Sequence, residues 1–402
     1  MNLPIIFTKL KKTIWGSFML MAIALPLNIM QISAWPMLMH DNQHTSQSQH
    51  SIYWRPQPDW TLPLALSLTS TPVIGNQGNI YLGSTDNNLY AIDRRGNNIW
   101  AYPTNGPITS SPAVDLVGNI YIGSADQSFY AVQNDGQLLW SYNVNSAINS
   151  SPTIVSRLLP TTIYTASQNG QVHAFYSTGS HLWSSAPLQY GIDQSSPAIT
   201  SNNNIAISTL GNAFAWSSGQ LNILNQNGSS HCSYDTGFYQ GDGSRSSVSI
   251  MPNDNILLAT KDSLGWGPGR LFIIDQNCNE VCHTTDLNHH YSSPAIADDG
   301  TIYLGTGNGL SAINQSCQVQ WTAPTGSISY STPAISANNK ILAGADNGNF
   351  YIINPDGSVR WQYDLGEQLG SPIIGSGGKI YINSANNLYA FKSDLLREVF
   401  TW

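Results

Sequence analysis

The chain has 402 residues, a formal net charge of −8 and only 9% charged residues. Nucleic-acid binding draws on clustered Lys and Arg, and the 15 basic residues here are scattered, which argues against a nucleic-acid partner. Frequent glycine (34) and proline (21), together with 10% aromatic residues, are typical of many short strands joined by turns. Helices should therefore be scarce.

The first residues have the order of a secretory signal. Three lysines precede an apolar run at residues 18–27, and Ala34 offers a cleavage site. The run is shorter than the roughly 20 residues that span a bilayer, so an uncleaved anchor is the less favoured alternative. We predict a signal peptide over residues 1–34 and a mature chain without a membrane span. Because the first cysteine is Cys232, no cysteine near the cleavage site could carry a lipid anchor.

A Ser/Thr-Pro pair followed by a short apolar run recurs along the chain. Seven such pairs and an eighth unit, which begins at Ser247-Val248, are spaced by 39 to 51 residues. A tryptophan lies 11 to 14 residues ahead of the proline in six units, so two independent markers keep one register. The prolines of the seven pairs are Pro72, Pro112, Pro152, Pro197, Pro294, Pro333 and Pro372.

Each unit is predicted to contain four strands. The unit from Ser110 to Tyr142 has four alternating apolar stretches separated by short turns. Four antiparallel strands per unit form the blade of a β-propeller, which hides its faces only against neighbouring blades. The last unit lacks a fourth strand, while Trp60 lies in an unpaired strand ahead of the first pair. We therefore predict an all-β, eight-bladed propeller over residues 59–402, its last blade closed by the N-terminal strand. A solenoid of stacked hairpins is the alternative, but it requires capping ends.

The segment from Tyr130 to Trp140 resembles the tryptophan-docking repeat of the pyrroloquinoline-quinone-like, or quinoprotein-like, propeller family, in which Ala, Gly and Trp recur at fixed offsets. The segment from Leu89 to Trp100 matches it equally well. In that family the Trp ring is held between the Ala of its own blade and the peptide at the Gly of the next blade. A leader at residues 35–58 also looks like the stretch that often precedes such propellers. The resemblance covers nearly all of the mature chain. Within the family, the chain resembles the non-enzymatic branch, which contains the propellers of the barrel-assembly machinery.

Four cysteines stand at docking positions of the middle units. Cys232 and Cys282 occupy the Trp positions of units four and five, and Cys278 and Cys317 occupy the Gly positions of units five and six. The resemblance therefore implies the disulfides Cys232–Cys278 and Cys282–Cys317, each replacing a Trp-on-Gly contact by a covalent bond. A local Cys278–Cys282 bridge, or a zinc site that includes His283, is the alternative.

The resemblance also implies an alternative function, a quinone-dependent dehydrogenase, and a sugar-active propeller enzyme is a further alternative. Those dehydrogenases bind calcium and quinone with central carboxylates and amides, beside a disulfide between adjacent cysteines, and no two cysteines here are adjacent. Asp86, Asp126 and Asp346 recur at one repeat position, but each follows a strand in a turn, where Asp commonly bonds its own backbone. His289-His290 has no evident carboxylate partner. We predict no catalytic residue, no metal and no cofactor.

Three connections are longer than their counterparts in other units, namely the loops at 209–220 and 261–270 and the link at 234–246. Each follows an even-numbered strand, so strand alternation sends all three to one face of the ring. Aromatic residues and Arg are typical of binding hot spots, and loops on a rigid scaffold often carry recognition. The alternative is that these loops merely tolerate insertion and their aromatics pack on one another. The candidate ligand-binding residues are Phe214, Trp216, Phe238, Tyr239, Asp242, Arg245, Trp266 and Arg270.

These patterns predict an exported, non-enzymatic propeller scaffold. Its loop-rich face over blades four and five is expected to bind a protein, a peptide or a glycan. We expect the mature protein to be a monomer in the periplasm or the extracellular medium, without a lipid anchor.

Overall fold

A computed structural model of the chain describes residues 35–53, 55–156, 161–210, 219–236, 246–261, 269–285, 287–288 and 291–392. In these ranges 32 strands form eight antiparallel sheets of four strands, and the sheets are the blades of a closed ring. The predicted eight-bladed β-propeller is confirmed. Within the same ranges, no helix has the length and hydropathy that a membrane crossing needs.

Blades one to seven each take four consecutive strands, and the first strands of neighbouring blades contact one another around the central channel. Blade one contains β2 (Val73–Ile74), β3 (Ile80–Gly83), β4 (Asn88–Ile92) and β5 (Asn98–Pro103). Blade two contains β6 (Ala113–Val114), β7 (Ile120–Gly123), β8 (Ser128–Val132) and β9 (Leu138–Asn143). Blade three contains β10 (Thr153–Val155), β11 (Thr162–Ala166), β12 (Val172–Tyr176) and β13 (His181–Ser184). Blade four contains β14 (Ala198–Ile199), β15 (Ile205–Ser208), β16 (Gln220–Leu224) and β17 (Ser230–Asp235).

The remaining blades follow the same order. Blade five contains β18 (Ser249–Ile250), β19 (Ile256–Thr260), β20 (Arg270–Ile274) and β21 (Glu280–His283). Blade six contains β22 (Ala295–Ile296), β23 (Ile302–Thr306), β24 (Gly309–Ile313) and β25 (Val319–Ala323). Blade seven contains β26 (Ala334–Ile335), β27 (Ile341–Gly344), β28 (Asn349–Ile353) and β29 (Val359–Asp364).

Blade eight joins the two ends of the described chain. It contains β30 (Ile373–Ile374), β31 (Ile380–Asn383) and β32 (Asn387–Lys392) from the last repeat, with β1 (Gln57–Pro63) as its outermost strand. β1 pairs antiparallel with β32, and Trp60 lies opposite Ala390. The predicted closure by the N-terminal strand is confirmed.

The core consists of apolar layers between blades. All four residues of β3 are buried, and so are those of the equivalent strand β7, while the outer strands β5 and β9 are exposed except for the half-buried Trp100, Tyr102 and Trp140. A strand that is buried on both faces favours an unbroken run of apolar residues, which is why the second strands read as Ile-Tyr-Leu-Gly or Ile-Tyr-Ile-Gly.

Strand direction gives the ring two different faces. The first strand of each blade runs from the face that we call upper to the face that we call lower, and the direction then alternates. The upper face carries the loops between second and third strands and the links between blades. The lower face carries the turns between first and second and between third and fourth strands.

Tryptophans of the outer strands lock most blades to their neighbours, as the family resemblance implies. Trp100 lies opposite Ala91 of its own blade, and its Nε1 donates to the carbonyl of Asn134 in the next blade at 2.9 Å. A Cβ added to Gly136, whose φ is +87°, would lie 2.9 Å from the Trp100 ring, so only glycine fits there. Five joints share this geometry, and their tryptophans are Trp60, Trp100, Trp140, Trp183 and Trp321.

Two joints use disulfides in place of tryptophans. Cys232–Cys278 links blades four and five and Cys282–Cys317 links blades five and six, each with a Cα–Cα distance of 6.0 Å. Both bonds have the pairing that the sequence predicts. The residue opposite each strand cysteine is also exchanged. Ile223 faces Cys232 and Ile273 faces Cys282, whereas an Ala faces each docking tryptophan. The larger Ile fills space that a tryptophan would take.

The joint between blades seven and eight has neither a docking tryptophan nor a disulfide. β1 comes from the N-terminus, so blade eight has no turn between its third and fourth strands to receive Trp361. The Trp361 ring packs on Phe391 instead, with ring centroids 5.8 Å apart, and it lies opposite Ile352 rather than an Ala. The segment that leads into β1 covers this joint, since Arg360 donates to the carbonyl of Tyr53 at 3.2 Å.

We expect that the joint between blades five and six can be held either by its disulfide or by a docked tryptophan. Replacing Cys282 and Cys317 by Ser should lower the free energy of unfolding by about 2–4 kcal/mol, because the unfolded chain gains freedom. The triple variant Ile273→Ala, Cys282→Trp, Cys317→Gly rebuilds the docking geometry of the other joints, so it should recover a large part of that loss. Urea unfolding without reductant measures both changes.

The matched control keeps Ile273 and contains only Cys282→Trp and Cys317→Gly. Ile273 occupies the space of the indole, so this double variant should be less stable than the triple variant. Equal stability of the two would contradict the account of the joint.

Candidate functional site

The leader closes the lower end of the channel by a ring of backbone hydrogen bonds. Six of the eight blades donate the N–H of the second residue of their first strand to a leader carbonyl, at 2.7–2.9 Å. The leader residues turn through left-handed conformations, with φ of +60° at His44 and +61° at Ser46, which directs successive carbonyls outward. The accepting residues, in blade order, are Trp35, Pro36, Asn42, Gln43, Thr45 and Ser46.

His44 bridges blades three and five inside the channel. Its ring is fully buried, with Nδ1 2.9 Å from the carbonyl oxygen of Val248 in blade five and Nε2 3.3 Å from Thr153 Oγ1 in blade three. Burial lowers the pKa of His44, because an apolar and enclosed site disfavours the charged ring. The leader therefore contributes a neutral side chain that fills the channel.

A ring of hydroxyl groups surrounds the waist of the channel, at the Ser or Thr of each repeat anchor. Each backbone N–H donates to the side-chain oxygen of the equivalent residue in the next blade, as Thr71 does to Ser111 at 2.8 Å. Seven such bonds, 2.8–3.2 Å long, connect the eight blades. A following proline has no N–H to satisfy in this buried position. The ring consists of Thr71, Ser111, Ser151, Ser196, Ser247, Ser293, Thr332 and Ser371.

Six residues of this ring line a cavity of about 50 Å³ in the channel, which opens on the upper face. The leader residue Leu38 lies at its lower end, and hydroxyl, amide and tyrosine side chains form its wall. None of its lining residues is an Asp or a Glu. The mouth is lined by Leu68, Thr69, Asn149, Gln194, Tyr291 and Tyr330.

One side of the mouth is aromatic and carries a cation. The rings of Tyr291 and Tyr330 stack with centroids 5.2 Å apart, and Lys261 Nζ donates to the Tyr291 hydroxyl at 2.9 Å. The Lys261 ammonium also lies 4.3 Å from the centre of the Tyr291 ring, a cation–π distance. Among the described residues, no carboxylate forms an ion pair with Lys261.

The opposite side of the mouth is built from amides and hydroxyls. Thr109 donates to Asn149 Oδ1 at 3.1 Å, and Asn149 Nδ2 donates to an Asp193 oxygen at 3.1 Å. Gln168 donates to the same oxygen of Asp193 at 3.4 Å. The Asp193 carboxylate on this side of the mouth therefore already accepts two amide donors.

The structure places one of the eight predicted ligand-binding residues. Arg270 is the first residue of β20, at the upper end of blade five, and its backbone pairs with Thr260. The other seven lie outside the described residues, so their role stays a prediction: Phe214, Trp216, Phe238, Tyr239, Asp242, Arg245 and Trp266.

The residues that flank the three long connections lie on the upper face, as predicted. Leu210 N–H donates to the carbonyl of Gly191, a residue of the link into blade four, at 3.1 Å. Thr236 N–H donates to the carbonyl of Gly219 at 3.3 Å, which joins two of the long connections, and Leu287 N–H, in the link between blades five and six, donates to the carbonyl of Gly269 at 2.8 Å. The long connections therefore leave the ring on the side where the channel opens.

Sequence reasoning missed the channel mouth. Tyr291, Tyr330, Asn149 and Gln194 all stand two residues before the Ser or Thr of their repeat anchor. Reading that single position down all the units would have found the mouth, and it assigns Arg245 the same position in unit five.

The recurring aspartates of the upper loops act mainly within the fold. Asp86 accepts the N–H of Asn88 at 3.0 Å, and Asp126 accepts that of Ser128 at 3.0 Å, which is the turn role that the sequence predicts. Asp126 also accepts the N–H of Asn105 in the preceding link at 2.9 Å, and Asp346 accepts that of Ser329 in the preceding link at 3.1 Å. Asp346 differs in that Asn347, and not Asp346, bonds the turn. The contact between Asp346 and Ser329 joins residues that are 17 positions apart, so the sequence pattern around Asp346 did not reveal this role.

A second, open cavity of about 560 Å³ lies on the lower face, between the leader and blades five to seven. The carboxylates of Asp41 and Asp298 line this cavity, and Asp41 accepts the N–H groups of Gln43 at 3.0 Å and Thr45 at 3.1 Å. Burial raises the pKa of Asp41, but hydrogen bonds and charge from His40 and hydrogen bonds from Thr45 outweigh it, so the pKa lies below its usual value. The hydrogen bonds of Asp41 are therefore used to hold the leader in its conformation. We take the channel mouth on the upper face as the better candidate for a binding site.

The leader is expected to loosen in mild acid. The folded protein holds His44 neutral, whereas the unfolded chain protonates it near pH 6.5. Its contribution to stability is therefore complete above about pH 6.5 and declines as the pH falls towards the lowered folded pKa. Between pH 7.5 and 5.0, the wild type should lose up to about 2 kcal/mol more than His44→Gln, which cannot titrate.

Urea unfolding at the two pH values measures this difference. His173 is also buried, and burial lowers its pKa to about 4, so it contributes equally to wild type and variant and cancels in the comparison. An identical pH dependence in both proteins would show that His44 is not held neutral by the channel.

Comparison with known proteins identifies relatives of two kinds. The family model described as outer membrane protein assembly factor BamB matches residues 45–240 and 240–394. A comparison with curated proteins finds no match. BamB from Moraxella catarrhalis is 14% identical, with a TM-score of 0.64 over 84% of this chain and 97% of that chain.

Dehydrogenases share the fold as well. Quinohemoprotein alcohol dehydrogenase from Comamonas testosteroni is 14% identical, with a TM-score of 0.72 over 89% of this chain and 80% of that chain. A europium-containing methanol dehydrogenase is 13% identical, with a TM-score of 0.66 over 90% of this chain and 98% of that chain. At these identities the likeness shows the propeller fold alone.

The described residues of the channel do not fit a quinone held with calcium. The lining contains hydroxyls, amides and tyrosines but no carboxylate for the metal. The cavity of about 50 Å³ is also far smaller than the roughly 300 Å³ at which small-molecule sites begin. Because the family model matches most of the chain, at residues 45–240 and 240–394, the chain belongs to the family of the outer membrane protein assembly factor BamB.

Proposed function

We propose that the protein is an exported, non-enzymatic scaffold that binds a protein or peptide partner on its upper face, over blades four and five. The observation that carries this proposal is the asymmetry of the ring. The leader occupies the lower end of the channel, while the channel mouth and the flanks of three long connections lie on the upper face. A partner that uses both mouth and loops therefore approaches from above.

Export is supported by the cysteines. The two disulfides hold blade five to both of its neighbours, and such bonds persist in the periplasm or outside the cell. The predicted signal peptide over residues 1–34 agrees with that location. We propose a periplasmic or secreted monomer.

The family supports a protein partner. Its description names an assembly factor for outer membrane proteins, and such factors act on other proteins. Rigid scaffolds with variable loops bind through those loops, since the scaffold fixes their ends and reduces the entropy lost on binding. Blade five suits this role because its neighbours are covalently attached.

A paired set of variants tests the binding face. Trp216→Ala with Trp266→Ala changes the two predicted aromatic anchors of the long loops, and we expect at least a tenfold loss of partner affinity, as for interface hot spots. Leu116→Ala with Val117→Ala is the matched control, since these exposed residues lie in a lower-face turn of blade two. Affinity is measured by biolayer interferometry with partners purified from the exported fraction of the host.

Binding that survives the tryptophan variants but fails in the lower-face control would overturn the proposed face. A glycan array with the same variants covers the remaining ligand class, and tryptophan-dependent binding of a sugar in place of a protein would replace the protein partner.

The dehydrogenase alternative has its own measurement. Incubation with pyrroloquinoline quinone and calcium should leave the absorbance spectrum equal to the sum of the components, because the described channel residues offer no carboxylate for the metal. A stoichiometric red-shifted band together with dye reduction would establish an enzyme instead.

A further inference from the structure

We propose that the waist and mouth of the channel form a binding site for a carboxylate group, supplied by a peptide segment of the partner. This inference rests on the proposed function and names the chemistry that the upper face recognises. The wall of the channel has hydrogen-bond donors in excess and a cation at its rim.

Six of the eight waist hydroxyls are donors that lack acceptors among the described residues, whereas the Ser196 hydroxyl donates to the carbonyl of Gln194 at 3.5 Å. These six line the cavity and are buried, and five of their hydroxyl oxygens each accept an inter-blade N–H, the exception being Thr71. Among the described residues, the O–H of Ser151 has no acceptor, and the same holds for the other five. The six residues are Thr71, Ser151, Ser247, Ser293, Thr332 and Ser371.

A buried donor without an acceptor is costly, so the ring favours a group that only accepts hydrogen bonds. A carboxylate has two oxygens and about four lone-pair directions, and it bonds hydroxyl donors more strongly than a neutral carbonyl does. The cavity of about 50 Å³ holds a group of that size but excludes a larger ring.

The mouth supplies a counter-charge. Lys261 lies at the rim, held by the hydroxyl and the ring of Tyr291, and it has no carboxylate partner among the described residues. Tyr330 lies beside Tyr291 and also lines the cavity. The acidic group on the far side, Asp193, accepts hydrogen bonds from Asn149 and Gln168, which reduces its repulsion of a second carboxylate.

A peptide is the source that the surroundings favour. The mouth is narrow, and the described ends of the long connections lie on the same face, so a chain end or an acidic side chain can enter while the rest of the segment lies on the upper face. The aromatic side formed by Tyr291 and Tyr330 offers apolar contact for the residue next to the carboxylate.

Trifluoroacetate is the probe, since it is a bare carboxylate whose ¹⁹F resonance broadens on binding. We expect the wild type to bind it, and trifluoroacetamide, a neutral analogue of the same shape, to bind at least tenfold more weakly. Lys261→Met should weaken trifluoroacetate binding about tenfold, which is the effect of losing one charge-assisted contact. Lys340→Met is the matched control on the lower face and should bind like the wild type.

A second variant tests the waist itself. Ser151→Ala removes one hydroxyl donor but also the acceptor of the Ser111 N–H, so its folding is checked by thermal unfolding before use. If it does not fold, Lys261→Met decides the question alone. Equal binding of the acid and the amide, or equal binding by Lys261→Met and Lys340→Met, would overturn the proposal.

Competition experiments separate the sources of the carboxylate. Acetyl-Gly-Gly with a free carboxylate and acetyl-Asp amide should displace trifluoroacetate, and glucuronate should not. Displacement by glucuronate alone would reject a peptide in favour of an acidic glycan. The two proposals can fail separately. Binding of trifluoroacetate without binding of any partner would reject the proposed function. Binding of a partner without selectivity for a carboxylate would reject only this inference.

Discussion

The antiparallel pairing of β1 with β32 is the interaction on which the rest of the structure depends. Without it, blade eight would have three strands and the two ends of the ring would each expose an unpaired edge. The pairing also fixes the position of the leader, since the residues just before Gln57 must approach blade eight from below. Closure therefore determines which end of the channel is filled and which end stays open.

Two further sets of inter-blade contacts stabilise the closed ring. One set lies at the outer rim and the other at the waist of the channel, and they act through different interactions. At the rim, tryptophan docking and the two disulfides hold seven of the eight joints by packing and covalent bonds. At the waist, hydroxyl groups accept backbone N–H groups in a buried setting, where an unmade bond would be costly. The joint without a rim device, between blades seven and eight, is also the one that the leader crosses. The leader thus stabilises the place where the repeat is incomplete.

Much of the fold could be predicted from the sequence because its signals are local and repeated. The Ser/Thr-Pro anchor, the turn residues and the docking tryptophan each occur within one unit, so eight copies reinforce one interpretation. The disulfide pairing was implied by the resemblance to the tryptophan-docking family, and the structure contains both bonds. The exchange of Ala for Ile273 opposite Cys282 was also present in the sequence, but its meaning needs the cross-strand register.

The site was harder to predict because its contacts join residues far apart in the chain. Each waist bond connects positions 39 to 51 residues apart, and His44 bonds Val248 across 204 residues. The leader path depends on left-handed residues such as His44 and Ser46, which are not glycines and so give no turn signal. Long loops were chosen as the candidate site because insertions are visible in a sequence, whereas a ring of single residues is not.

A cysteine cross-link between the outer strand of blade eight and the last repeat tests the closure most directly. Gln57 and Lys392 lie opposite each other in the β1–β32 register and are both exposed, so the variant Gln57→Cys, Lys392→Cys should form a disulfide on mild oxidation. Asn98→Cys with Lys392→Cys is the control, since Asn98 lies in the outer strand of blade one. Mass spectrometry of unreduced peptides should detect the 57–392 bond and not the 98–392 bond. A protein that forms no 57–392 bond, or forms both bonds equally, would contradict the closed ring.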